Sequence, residues 1–235
     1  MKKTVPLVLL SLLVIGITGC DSSSDSATSS NSSSNSGTTS GASTSGTFTD
    51  SRDGQVYKYV KIGTQTWMAQ NLNYQVDSSW CYANDSAHCA KYGRLYQWAS
   101  AMGLSDTYLS SYWAGDTVDH QGACPSGWHV PTVSEIDTLL AYVGADSSAR
   151  LLRSTTGWDS ANGIDRYGFD ATTTGIRYDN TGDFGEVGDL WTATGVSGST
   201  WERTAWGVWI NNNTQKASPS TIYKDYGIAV RCLKN

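Results

Sequence analysis

Residues 124–144, CPSGWHVPTVSEIDTLLAYVG, decide how the rest of the chain is read. Thr132 and Glu135 have the spacing of a capping box, in which each side chain bonds the other residue's backbone amide. Val133, Ile136, Leu139, Leu140 and Val143 then recur at helical spacing and make one apolar stripe. Gly144 is a natural stop. The segment predicts a helix with one buried face, and that face needs a partner layer.

The flanking sequence supplies it. In 92–103, YGRLYQWASAMG, residues Leu95, Trp98, Ala99 and Met102 fall at i, i+3, i+4 and i+7, which predicts a second helix ended by Gly103. In 53–74, DGQVYKYVKIGTQTWMAQNLNY, the run Val56 to Ile62 reads as a strand. Gly63-Thr64 reads as a turn and Thr66-Trp67-Met68 as a short strand. After residue 150 glycines punctuate the text, and strands are expected near 167–173, 188–194, 205–211 and 227–233. The expectation is an α+β domain: two helices on a small, mostly antiparallel sheet, rich in loops. No repeat of 20–50 residues is visible.

The N-terminus has a different character. MKKTVPLVLLSLLVIGITGC joins two lysines, an apolar run from Val5 to Ile17 and small residues leading into Cys20. That is the layout of a secretory signal, too short for a convincing membrane span. The ending Ile17-Thr18-Gly19-Cys20 resembles the lipobox of bacterial lipoproteins, which implies a signal peptide over 1–19 and a lipid on Cys20. Residues 21–46 are Ser, Thr, Gly, Asn, Asp and Ala only, so nothing there repays the entropy of ordering. Residues 20–46 are therefore expected to be a lipidated cysteine and a disordered tether with a reach on the order of 28 Å, and 47–235 the folded domain.

The chain carries a net charge of −5, and the charges before residue 47 (Lys2, Lys3, Asp21, Asp25) cancel. A nucleic-acid binder would show a basic face, so no nucleic-acid partner is expected. Besides Cys20 there are four cysteines, Cys81, Cys89, Cys124 and Cys232. An even count in an exported chain reads as two disulfides. Three pairings are open. The favoured one is Cys81–Cys89 as a local clip and Cys124–Cys232 as a long staple. A four-cysteine zinc site needs short paired spacings that are absent.

Five blocks in order, RDGQVYKYVKIGTQTWMAQNLNY, CYANDSAHCAKYGRLYQWASAM, CPSGWHVPTVSEIDTL, LWTAT and YGIAVRCLKN, resemble the Fibrobacter succinogenes major paralogous domain. The resemblance runs from about Asp50 to Asn235. It implies an exported lipoprotein with paired cysteines and brings no assigned activity. Within it, GWHVPTVSEIDTLL and YGIAVRC resemble the helix start and closing strand of formylglycine-generating enzymes, which implies a C-type lectin-like architecture. Those enzymes use a copper-binding cysteine pair shortly before the closing strand. Residues 190–231 contain no cysteine, and Cys232 stands in the place of the closing structural cysteine. No enzyme is expected on these grounds.

Other catalytic patterns are missing too. The three histidines, His88, His120 and His129, belong to no H-E-x-x-H motif, and no G-x-S-x-G occurs. His129 reads as a packed turn residue and His88 as a solvated one.

A binding role fits the composition better. All ten Trp and all thirteen Tyr follow residue 47. Flat aromatic faces stack on sugar rings, and Asn side chains bind hydroxyls. Trp67, Trp98 and Trp128 read as core, whereas Trp201, Trp206, Trp209, Asn211, Asn212 and Asn213 form the densest patch for a ligand. No cofactor is expected. A calcium ion, were one bound, would sit on Asp179, Asp183, Glu186 and Asp189 in an oxygen-rich loop, although that spacing is not an EF-hand's and such loops usually serve as turns. The combined expectation is a non-catalytic domain lipid-anchored in the bacterial cell envelope, at the outer membrane. It would be a binding or adhesion module whose partner is polysaccharide. The alternatives are a structural or protein-partner envelope domain, or an enzyme with an unrecognised site.

Overall fold

The structure, a computed structural model, describes residues 44–178, 187–198 and 200–235. In chain order it runs β1 (Ser45–Thr49), β2 (Val56–Ile62), β3 (Gln65–Met68), β4 (Ser79–Trp80), α1 (Ser86–Tyr92), β5 (Leu95–Tyr96), α2 (Trp98–Ala101) and β6 (Trp128–His129). There follow α3 (Val133–Val143), α4 (Ser148–Leu152), β7 (Leu190–Gly195), β8 (Thr204–Trp209), β9 (Ser218–Tyr223), β10 (Ile228–Ala229) and β11 (Leu233–Lys234). The class is α+β, as expected. The strands form two sheets rather than one small one. A five-stranded sheet has the order β1-β2-β3-β11-β6, and a six-stranded sheet the order β4-β5-β10-β7-β8-β9. All pairings are antiparallel except β10 with β7.

The helix read from 124–144 is α3. The Thr132 hydroxyl accepts from the Glu135 N–H while the Glu135 carboxylate accepts from the Thr132 N–H, and Gly144 caps the end. Ile136, Leu139, Leu140 and Val143 are buried against Val60, Ile62, Trp67, Phe169, Leu190 and Val208. The cap contributes about 1 kcal/mol, and burial of the stripe does most of the holding.

Four readings are corrected. The helix expected over 92–103 is broken. Gly93 at φ 84° ends α1, Leu95 and Tyr96 enter the sheet between β4 and β10, and only Trp98–Ala101 is helical. Leu95, Trp98, Ala99 and Met102 are all buried, so the stripe identified core residues and misread their backbone. The strand expected at 167–173 is absent, because Gly168 and Asp170 take positive φ and only Ala171 makes an isolated bridge, to Arg153. The strand expected at 227–233 is split, since β10 belongs to one sheet and β11 to the other. Finally, β1 starts two residues inside the segment assigned to the tether. Ser45 and Gly46 pair with Val60 and Tyr59, and Phe48 stacks on Trp128 at 4.5 Å. Strand β9 was not anticipated. It is the edge of its sheet, where Pro219 removes no internal ladder bond.

The segment joining β10 to β11 therefore ties the sheets together. Its Arg231 is buried, with the guanidinium over the Phe169 ring and donating to Asn71 Oδ1 and to the carbonyls of Phe169 and Asp170. Both disulfides are formed in the favoured pairing, Cys81–Cys89 and Cys124–Cys232. Trp67, Trp98 and Trp128 are core, as expected. Among the described residues no helix is long and apolar enough to cross a membrane. Cys20, the signal over 1–19 and most of the tether lie outside the described residues.

Candidate functional site

The open face of the six-stranded sheet is shaped by register. Leu190 pairs with Val208, and an isolated bridge joins Val187 to Asn211. Alternation along a strand then puts Asp189 and Trp209 on one face, together with Val187 and Asn211. Gly207 on that face carries no side chain. A Cβ there would meet Ile222 Cδ1 at 2.6 Å and the Leu190 carbonyl at 2.9 Å, so its absence lets Ile222 lie down as a floor.

The result is a groove of about 300 Å³, at the lower end for small-ligand sites. Ile176, Val187 and Ile222 give it an apolar floor, and Tyr178, Trp209, Tyr223 and Tyr226 supply the rings. Trp209 is 44% exposed and Tyr223 50%. Tyr226 packs edge-on against Tyr178, with centroids 5.1 Å apart, and against Tyr223 at 5.5 Å. Tyr223 pairs with Thr204 and Trp209 with Ser218, so the two exposed rings sit at opposite ends of the β8–β9 hairpin. Five residues of strand separate those ends, roughly 17 Å. Both rings line the groove, Trp209 from β8 and Tyr223 from the end of the edge strand β9.

Asp189 lies in the wall beside Trp209. It is 5% exposed, and among the described residues its Oδ1 has no hydrogen-bond partner. Burial pushes its carboxyl up to about 7, opposed only by a hydrogen bond from the Ile210 amide. The contrast with other buried charges is sharp. Asp50, the other buried acid among the described residues, is gripped by the Arg52 guanidinium at 2.7 Å. Lys224 donates to the Ser111 carbonyl and sits over the Trp98 ring, 4.6 Å from its centroid. Arg153 donates to the carbonyls of Asn211 and Thr214.

The patch expected at 201–213 is thus divided. Trp209 and Asn211 line the groove. Trp206 is half-buried and three residues from Trp209, so it points to the opposite face. Trp201 is 55% exposed on the β7–β8 connection and takes no part in the groove. Asn212 donates to the Ser160 hydroxyl, and Asn213 is exposed outside the groove. Of the calcium set, Asp179, Asp183 and Glu186 lie outside the described residues, and Asp189 is the groove carboxylate. Tyr178, Tyr223 and Tyr226 were not singled out from the sequence. Their only signal there is the general richness in tyrosine, because they come from two distant segments.

A second cluster, Asp119, His129 and Glu135, brings three potential ligand atoms within 4.8 Å of one another. His129 is buried in β6 rather than in a turn. Its Nε2 meets Glu135 Oε1 at 3.0 Å and its Nδ1 meets Asn235 Oδ1 at 2.8 Å, while Glu135 Oε2 accepts from Thr132. Both ring nitrogens and both carboxylate oxygens are used, so this network braces α3 and the C-terminus. His88, read as a solvated residue, is instead partly exposed on α1, with its ring against Tyr82 and Tyr92 and its Nδ1 buried beside Asp85.

No curated protein and no solved structure matches the chain. The model of the Fibrobacter succinogenes major domain matches residues 60–234, which takes in α3, the groove and all but the first strand and the start of β2. The chain accordingly belongs to the Fibrobacter succinogenes major domain family.

Proposed function

We propose that this protein is a non-catalytic, lipid-anchored domain of the bacterial cell envelope, held at the outer membrane, that binds polysaccharide along the groove between Trp209 and Tyr223. The observation that carries the reading is that two exposed aromatic side chains, Trp209 and Tyr223, line one groove together with Asn211, which is suited to hydroxyls. Aromatic side chains of this kind bring large contact area and a polar tip. The anchor rests on Ile17-Thr18-Gly19-Cys20 and the polar tether after it. A C-type lectin-like architecture, read from the residues around α3 and the closing strand, belongs to the same proposal.

The test uses the full chain, processed in a bacterium and purified in neutral detergent, on a panel of insoluble and soluble polysaccharides. Saturable retention that weakens in Trp209→Ala supports the reading. Folded, oxidised protein that is retained on none of them ends it and shifts the weight to a protein partner. The anchor is tested separately: Cys20→Ala is expected to move the protein from the membrane to the soluble fraction.

A further inference from the structure

We propose that the groove selects glycans bearing a free, protonated amine, with Asp189 as the counter-ion beside Trp209. The inference rests on the polysaccharide reading and adds the class of sugar.

Asp189 is the starting point. A buried carboxylate without a partner is costly, and native folds rarely leave one unless it serves a site. Here, among the described residues, Oδ1 has no partner and only the Ile210 amide supports the group. Asparagine could keep that one hydrogen bond without the charge, so the acid is not needed to close the fold. Among the described residues no lysine or arginine lines the groove. Among the described residues the titratable groups that share it with Asp189 are the phenols of Tyr178, Tyr223 and Tyr226. Among the described residues nothing cationic in the wall is therefore available to pair with Asp189.

On its own the carboxyl resolves the charge by holding a proton, which is the meaning of a value pushed up to about 7. A ligand cation resolves it differently. An ammonium between Asp189 and the face of Trp209 meets a carboxylate and an aromatic quadrupole together, and tryptophan gives the strongest cation–π contact of the side chains. Both elements favour positive charge and neither rewards a neutral amide. A hydroxyl could donate to Oδ1, but it would not compensate the buried charge. A sugar carrying a free amine offers a ring to stack and a cation to pair on one unit. Acetylating that amine removes the cation and keeps the ring.

The experiment compares three β-1,4-linked oligomers of equal length, built of glucosamine, N-acetylglucosamine and glucose. Calorimetry on the full chain in neutral detergent is run near about pH 6.5, in about 0.15 M salt, to screen general attraction to an acidic protein. The glucosamine oligomer is expected to bind at least about tenfold more tightly than the other two. In Asp189→Asn that preference disappears, because the glucosamine oligomer loses affinity relative to the other two. Asp137→Asn, which removes an exposed charge on α3, keeps it. Equal affinity of the wild-type protein for all three, or a preference that survives Asp189→Asn, overturns the inference and leaves polysaccharide binding standing. No binding of any oligomer overturns both. The wild-type comparison decides the matter even if a variant fails to fold.

Discussion

His129 Nε2 lies 3.0 Å from Glu135 Oε1, so the carboxylate that closes the capping box of α3 also holds the strand before it. The other ring nitrogen reaches Asn235, the last residue. One imidazole thereby joins β6, the first turn of α3 and the C-terminus.

That junction makes stability depend on pH. Burial opposes the charge on His129, but hydrogen bonds to Glu135 and Asn235 outweigh it and raise its pKa above the ordinary 6.5. A raised value means the folded state holds the proton more tightly. The stabilisation is full below about 6.5 and is lost as pH rises through the folded value. His129→Gln should remove this part of the fall in stability with pH, and cost about 1–3 kcal/mol under mildly acid conditions. Urea unfolding of both proteins across that range checks it.

Asp189 adds a second, separable slope. Its folded pKa is about 7 against an ordinary value of 3.8. Between those values the folded state keeps a proton that the unfolded chain has lost, so stability falls as pH rises through this window and is flat above it. Asp189→Asn should abolish this slope. It should also stabilise the protein above neutral pH by a few kcal/mol, since each pH unit in the window contributes about 1.4 kcal/mol. A variant no more stable than wild type at alkaline pH would show that the carboxylate is better solvated than its burial implies.

The two disulfides should differ in weight. Cys124–Cys232 spans 108 residues and Cys81–Cys89 spans 8. In the chain-entropy account the long staple contributes ~4–5 kcal/mol and the short clip ~2–3 kcal/mol. Paired Cys→Ala variants, compared by denaturant midpoint, should rank in that order.

Groove and patch can be told apart by mutation. Trp209→Ala or Tyr223→Ala should weaken polysaccharide binding by at least about fivefold. Trp201→Ala should leave it unchanged, because Trp201 stands off the groove. Equal losses from Trp201 and Trp209 would place the contact on the β7–β8 connection instead.

Several elements were legible in the sequence because their signals are local. The capping box and stripe of α3, the β2–β3 pair and the central strands β7 and β8 depend on residues within a turn or two of one another. The cysteine count and spacing pointed to the pairing that formed. Where a signal needed a partner from elsewhere, the reading failed. Leu95, Trp98, Ala99 and Met102 are spaced as a helical stripe, yet Leu95 and Tyr96 form strand because β4 and β10 offer backbone partners on both sides. Periodicity records which residues are buried. It does not record which backbone groups will find a partner.

The same division holds for the site. From residue types alone came an aromatic-rich domain with a patch near 201–213 suited to sugars. Which of those rings face a common groove was decided by the register of β7, β8 and β9 and by the approach of Tyr178 and Tyr226 from distant segments. Asp189, read in sequence as one carboxylate of an oxygen-rich loop, became a buried acid beside Trp209, with no cationic partner among the described residues, only through strand pairing and burial. Desolvation is a property of the packed whole, and a linear chain carries no record of it.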